Sequence, residues 1–245
     1  MPPIALQLYS VRAQAKEDFA GTVRQVAQMG YPGVEPAGFP GTTPEEAGKL
    51  FRSLGLKVPS AHGGLPVGDD KNKVLDALDA IGCKRIISGR GPKDFESIDA
   101  IKNTCALFNE AAENAAARGF AFGIHNHWWE FNNVDGRLVF DVMLELLSPK
   151  VFFQLDTYWA KTGGADPVAV INRLGKRAPL LHMKDGPCVT GQPHVAVGKG
   201  KMDFPSIVAA ARNVDWFIVE LDECATDMMQ AVKESYDYLA KITRA

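Results

Sequence analysis

The sequence predicts one (β/α)8 barrel, an α/β fold, from three observations. Short apolar runs alternate with longer stretches of helical period along the whole chain; eight such pairs can be counted; and no low-complexity linker or composition break divides the 245 residues, a usual length for one barrel. A doubly wound open sheet alternates in the same way. Its phosphate-cradling loop is missing, because Gly38, Gly41 and Gly89 form neither GxGxxG nor a Walker loop. Residues 1–245 therefore read as a single-domain barrel.

The first unit pairs a strand at Ile4–Tyr9 with a helix carrying Phe19, Val23, Val26 and Ala27, which stops at Met29-Gly30. The second strand is short, around Gly33-Val34-Glu35. Its helix opens at Thr42-Thr43-Pro44-Glu45-Glu46, where a threonine cap precedes proline and two acids favour the positive helix start, and it ends near Leu54-Gly55. Strand three is expected over Lys57–His62 with a helix through Val74, Leu75, Leu78 and Ile81, and strand four over Arg85–Ser88 with a helix from about Phe95 to Arg118. Gly82 and Gly119 end those helices. Strand five is Phe120–His125 and strand six Val151–Asp156, with a helix through Val142, Leu144, Leu146 and Leu147 between them. Strand seven, Pro179–His182, leads into a glycine-rich segment from Gly186 to Gly200 and a helix near Phe204–Arg212; strand eight, Trp216–Glu220, is closed by a final helix.

An apolar share of 46 % fills a large core, and a net charge of -2 with 23 % charged residues offers no basic track for nucleic acid. No run approaches the length of a membrane span, and Met1-Pro2-Pro3-Ile4-Ala5 enters strand-like sequence without a basic, apolar leader, so a cytoplasmic location is expected. Cys83, Cys105, Cys188 and Cys224 lack CxxC spacing and read as reduced thiols.

Active sites of such barrels lie where the strands end. Here strand two ends in Glu35, three in His62, five in His125-Asn126-His127 with Glu130 soon after, six in Asp156, seven in His182 with Lys184 and Asp185, and eight in Glu220. Any one of these could be a solvated charge or a core histidine. Four of five histidines at strand ends on one face are not explained that way. Carboxylates and imidazoles together are the donors a divalent cation takes, and the apolar residues before each show polar heads emerging from buried strand.

The segments Leu6-Gln7-Leu8-Tyr9-Ser10-Val11-Arg12, His125-Asn126-His127-Trp128-Trp129-Glu130-Phe131, Leu155-Asp156-Thr157, His182-Met183-Lys184-Asp185 and Val219-Glu220-Leu221-Asp222 resemble the xylose isomerase-like TIM barrel superfamily, with Glu35 and His62 in matching places. That superfamily includes sugar phosphate isomerases and epimerases, inosose and 3-dehydroshikimate dehydratases, and endonuclease IV relatives. The resemblance implies one divalent metal held by Glu, Asp, His and Glu from strands five to eight. Asp156, His182 and Glu220 match the last three. The first ligand is Glu130 reaching back from the loop or His125 directly, and Glu130 is preferred because it completes three carboxylates and a histidine. Mn²⁺ is the first choice of ion, with Co²⁺, Mg²⁺ or Zn²⁺ as alternatives.

The expected activity is metal-dependent isomerisation or epimerisation of a small keto- or aldo-sugar by proton transfer through an enediolate. The alternative is a lyase that removes water from an inosose-like or 3-keto-sugar. His127 is the first candidate for the base, two residues from His125 on the same side of the strand, and Glu130, Glu220 and Lys184 complete the candidate catalytic set. Tyr9, Glu35, His62, His125, Trp128 and Lys184 are candidate substrate contacts, with Trp129, Tyr158 and Trp159 beside them. Arg12, Lys161 and Lys184 could meet a phosphate, and Gly163-Gly164 and the Gly186–Gly200 segment have the composition of mobile lids. An endonuclease would need more ligands and a basic track than this chain has, and a non-catalytic sugar-binding protein would not need the carboxylates. The expected partners are a small sugar-like substrate and, as a homo-oligomer, further copies of the chain.

Overall fold

Alternating apolar runs and amphipathic helices close on themselves in the computed structural model, which describes residues 1–243. Eight parallel strands form one sheet: β1 (Ile4–Gln7), β2 (Gly33–Glu35), β3 (Ala61–His62), β4 (Arg85–Ser88), β5 (Ala121–His125), β8 (Phe152–Asp156), β9 (Leu180–Met183) and β10 (Trp216–Val219), in the order β2-β1-β10-β9-β8-β5-β4-β3. The remaining pair, β6 (Asn133–Val134) and β7 (Arg137–Leu138), is an antiparallel hairpin whose turn residues Asp135 and Gly136 both have positive φ. The last three expected strands are β8, β9 and β10.

The barrel is nearly closed. Between β2 and β3 no ladder forms, but Val34 N–H donates to Lys57 O at 2.9 Å, Lys57 N–H to Pro32 O at 3.0 Å and His62 N–H to Pro36 O at 2.8 Å. Strand three is shorter than the expected Lys57–His62 because Pro59 has no N–H for a ladder, so Lys57 bridges to Gly33 across the seam instead.

Helices α1 (Arg12–Glu17) and α2 (Phe19–Gln28) follow β1, α3 (Pro44–Ser53) follows β2, α4 (Lys71–Ile81) follows β3 and α5 (Ile98–Ala116) follows β4. After β5 and the hairpin comes α6 (Val139–Leu146); α7 (Thr157–Thr162) and α8 (Pro167–Leu174) follow β8, α9 (Phe204–Ala210) follows β9, and α10 (Met228–Ile242) ends the fold. The threonine start of α3 is the expected one: Thr43 accepts from Glu46 N–H while the Glu46 carboxylate reaches back to Thr43 N–H. Within α6, Leu146 faces solvent rather than the core, and Leu147 is buried just past the helix end. No helix among the described residues is long and apolar enough to cross a membrane. All four cysteines are free.

The barrel interior has two storeys. Below, Ala5, Ile87, Phe152, Leu180 and Ile218 form an apolar plug. Gly123 has no side chain because the Phe152 ring lies where its Cβ would be. Strand alternation places the next inward residues one layer higher, and these are Gln7, Glu35, His125, Gln154, Asp156, His182 and Glu220, all buried.

Candidate active site

The upper storey is a polar layer buried at the C-terminal ends of the strands. His182 is its centre: Nδ1 lies 2.8 Å from Glu220 Oε2 and Nε2 2.7 Å from Glu35 Oε2. Without a cation both ring nitrogens face carboxylates and the ring is an imidazolium; a cation bound here would displace the proton at Nδ1, leaving the Nε2 hydrogen bond to Glu35 to hold the ring. Burial works against that charge, but Glu220 and Glu35 outweigh it and push the His182 pKa up to about 10. Glu35 in turn accepts from Gln7 Nε2 at 2.8 Å and from Ser60 Oγ and Gln154 Nε2. Burial acts to raise its pKa, and His62, His182 and the Ser60 hydroxyl bring it below the usual carboxylate value.

Asp156 ends β8 and starts α7. Its Oδ1 caps the helix by accepting from Trp159 N–H at 2.9 Å, while Oδ2 is buried without a hydrogen bond. Asn126 fixes this end by accepting from Asp156 N–H at 2.9 Å and donating to Asp156 O at 3.2 Å. Burial pushes the Asp156 pKa up to about 6 against the pull of Lys184 and His182. Lys184 is fully buried, its ammonium 2.8 Å from Glu220, 3.2 Å from Asp156 and 3.0 Å from Asp222. Burial acts against its charge, and those three carboxylates raise its pKa above the ordinary lysine value.

One donor atom from each of His125, Asp156, His182 and Glu220 lies within 4.8 Å of the others. The set suits a divalent cation: it mixes two imidazoles with two carboxylates, His125 Nδ1 is a buried polar atom with no hydrogen-bond partner, and Asp156 Oδ2 accepts no hydrogen bond and meets the Lys184 ammonium at 3.2 Å. Glu130, preferred from sequence as the first ligand, is not in this group. Its carboxylate turns back within the 3₁₀ turn Trp129–Phe131 and accepts from His127 N–H at 2.8 Å, where burial pushes its pKa up to about 8. In this conformation the carboxylate is turned to that amide and not to the layer.

Other expected site residues fall in different places. Glu35, expected to touch substrate, has no exposed surface and instead orients His182. Lys184, also expected to bind substrate or anion, is enclosed by carboxylates. His62 stacks on His182 at 5.4 Å and donates to Gln154 Oε1 at 2.6 Å. His127 stacks on Trp129 at 4.1 Å and meets the His125 ring edge-on at 5.0 Å. Trp128 packs against Trp129 and Trp159. Tyr9 is exposed under the Arg12 guanidinium, and Lys161 donates to Lys201 O, so neither base waits unpaired at the layer.

Sequence reasoning missed Gln7, Ser60, Gln154, Asp222 and His194. Gln154 carries a signal, standing two residues before Asp156 on the same strand face. His194 carries none, since the glycine-rich segment gives it no strand context; its Nδ1 accepts from Asp222 N–H at 3.0 Å and so sets the carboxylate that holds Lys184. That segment is also tied down, unlike the lid its composition suggests. The buried Asp185 carboxylate accepts from the N–H groups of Gly186 at 2.8 Å, Gly198 at 2.9 Å, Gly200 at 2.8 Å and Met202 at 3.1 Å, and a Cβ on Gly200 would strike it.

Comparison with known proteins agrees with this architecture. Residues 23–242 match the family profile described as xylose isomerase-like TIM barrel, and the chain belongs to that family. Comparison with curated proteins returns no match. Among solved structures, a sugar phosphate isomerase/epimerase from Parabacteroides distasonis ATCC 8503 is 27% identical with a TM-score of 0.84, covering 98% of this chain and 98% of that one. A second from the same organism is 25% identical, TM-score 0.83, over 97% and 93%. A probable 3-DHS dehydratase from Bacillus anthracis shares the fold at 16% identity, TM-score 0.74, over 98% and 99%.

Proposed function

We propose that this chain is a divalent-metal-dependent sugar isomerase or epimerase that moves a proton next to a carbonyl. The observation that carries the reading is the gathering of His125, Asp156, His182 and Glu220 within 4.8 Å at the strand ends, with His127 beside them. A cation held by these four residues would supply Lewis-acid polarisation of a carbonyl and its neighbouring hydroxyl. Glu35 holds the His182 ring, and Gln7, Ser60 and Gln154 hold Glu35. For isomerisation His127 takes the proton from the carbon beside the carbonyl and returns it to the carbonyl carbon, while the hydroxyl proton passes to the former carbonyl oxygen; epimerisation instead returns a proton to the same carbon from the opposite face, which needs a second acid/base group. The aromatic shelf of Trp128, Trp129 and Trp159 covers the apolar face of the sugar and keeps water away.

Incubation with keto-sugars in deuterated water is expected to label the carbon next to the carbonyl, to stop with chelator, and to resume with Mn²⁺ or Co²⁺. Undiminished exchange in verified metal-free protein removes the metal from the mechanism. An unsaturated product beside the label assigns the lyase reaction instead.

The ligand assignment has its own test. His125→Asn is expected to lower Mn²⁺ occupancy at least tenfold, while Glu130→Gln, which keeps the bond to His127 N–H, leaves occupancy near the parent's. The reverse ranking, read by metal analysis, returns Glu130 to the ligand set.

A further inference from the structure

A groove of about 920 Å³ runs between α3 and α4 and the loops after β2 and β3, and His62 forms its inner end. The same imidazole belongs to the polar layer through Gln154 and His182. Most of the layer is shut: Glu35, Asp156 and His182 are 0% exposed, Lys184 1%, Glu220 5% and His125 6%, whereas the His62 side chain keeps 22% and His127 is also partly exposed. The layer thus opens at these two rings, and a molecule seated on it that extends past His62 enters the groove. Beyond His62 the walls are Phe39, Leu65, Val67, Val74 and Leu78, all apolar. The rim carries Glu45 and Asp70 against Lys73, with Asp76 paired to Arg118 at 2.8 Å, so it offers no cluster of free cations to hold a phosphate. A second cavity, about 940 Å³ beside Pro2, Pro3 and Val214, lies where the strands begin and shares no residue with the polar layer.

We propose that this groove is a subsite for an uncharged apolar substituent of the substrate, an alkyl or aryl group joined to the sugar, so that the enzyme acts on a sugar conjugate. The sugar half rests on the function proposed above; the groove half does not.

The methyl NMR signals of Leu65, Val67 and Val74 report on the groove whatever the head group. n-Hexanol and n-hexyl β-D-glucoside are expected to shift all three saturably. The hexyl glucoside is expected to bind at least about tenfold tighter than methyl β-D-glucoside, since each buried methylene contributes about fourfold. A Cβ on Gly64 would meet only Val74 Cγ2, at an ordinary contact distance of 3.9 Å, so the backbone there accepts a side chain, and Gly64→Leu in the groove lining is expected to weaken both hexyl probes about tenfold or more. Absence of saturable shifts with both hexyl probes overturns the proposal. So does, where the hexyl glucoside binds, an affinity no greater than that of the methyl glucoside, or hexanol affinity unchanged in Gly64→Leu. Hexanol binding that persists when the hexyl glucoside fails to bind supports the groove and counts against the sugar reading.

Discussion

Lys184→Met is expected to destabilise the metal-free protein by about 3–5 kcal/mol, the usual cost of removing one partner from a buried ion group. The ammonium is 1% exposed and sits within 3.2 Å of Asp156, Glu220 and Asp222, so its loss leaves three carboxylates facing one another with only the His182 charge nearby. Methionine has similar length and no charge, which keeps the packing and isolates the electrostatics. Urea unfolding in chelator should show a lower midpoint with an unchanged slope. Saturating Mn²⁺ should recover most of the loss, because a cation at the same carboxylates neutralises what the lysine did. A variant within about 1 kcal/mol of its parent in chelator would mean that the carboxylates are protonated or hydrated and that Lys184 does not hold the layer together.

The expected barrel formed because its signals are local. Helix caps such as Thr43 and stops such as Gly82 act within a few residues, and the apolar runs that become β1, β8 and β10 sit inside them. The missed elements had weaker cues. Asp135-Gly136 marks a hairpin, but its strands are two residues each, too short to show alternation. The gathering of the candidate site's residues was legible for the same reason, since strand-end residues of a closed barrel must converge. The division of labour was not. Whether a carboxylate faces the substrate, a cation or another side chain depends on partners far along the chain: Glu35 meets His182 147 residues away and Gln154 119 residues away. Glu130 shows the opposite failure, because the competing partner was the backbone amide of His127 only three residues back. A carboxylate there satisfies the nearer donor first.

These partnerships also separate the roles of the four clustered histidines. His182 is bound at both nitrogens, and His62 is held by Gln154. His125 Nε2 lies 3.7 Å from Asp156 Oδ2, and burial holds its pKa well below the ordinary value, as a ring that donates a lone pair to a cation must be. His127 alone lies against the aromatic shelf at the edge of the layer, and no hydrogen bond is made to its ring among the described residues.

His127→Asn is therefore expected to keep the metal and lose turnover by roughly 10²–10⁴, the range for a positioned proton-transfer group. Asparagine preserves polarity and approximate size but has no titratable nitrogen. The pH profile tests the same assignment. Burial first, and then repulsion from Lys184, lower the His127 pKa to about 3, so the ring is already the neutral base through the neutral range. The sign follows: a base of lowered pKa loses activity only as pH falls toward 3, so no His127 limb should lie near the ordinary histidine value of about 6.5. Any acid limb found near 6.5 in kcat should survive in the residual activity of His127→Asn, since it then belongs to another group. A limb near 6.5 that vanishes in the variant would show that His127 is charged at neutral pH and acts as the acid. Full turnover in His127→Asn with normal metal content would place the base elsewhere in the layer.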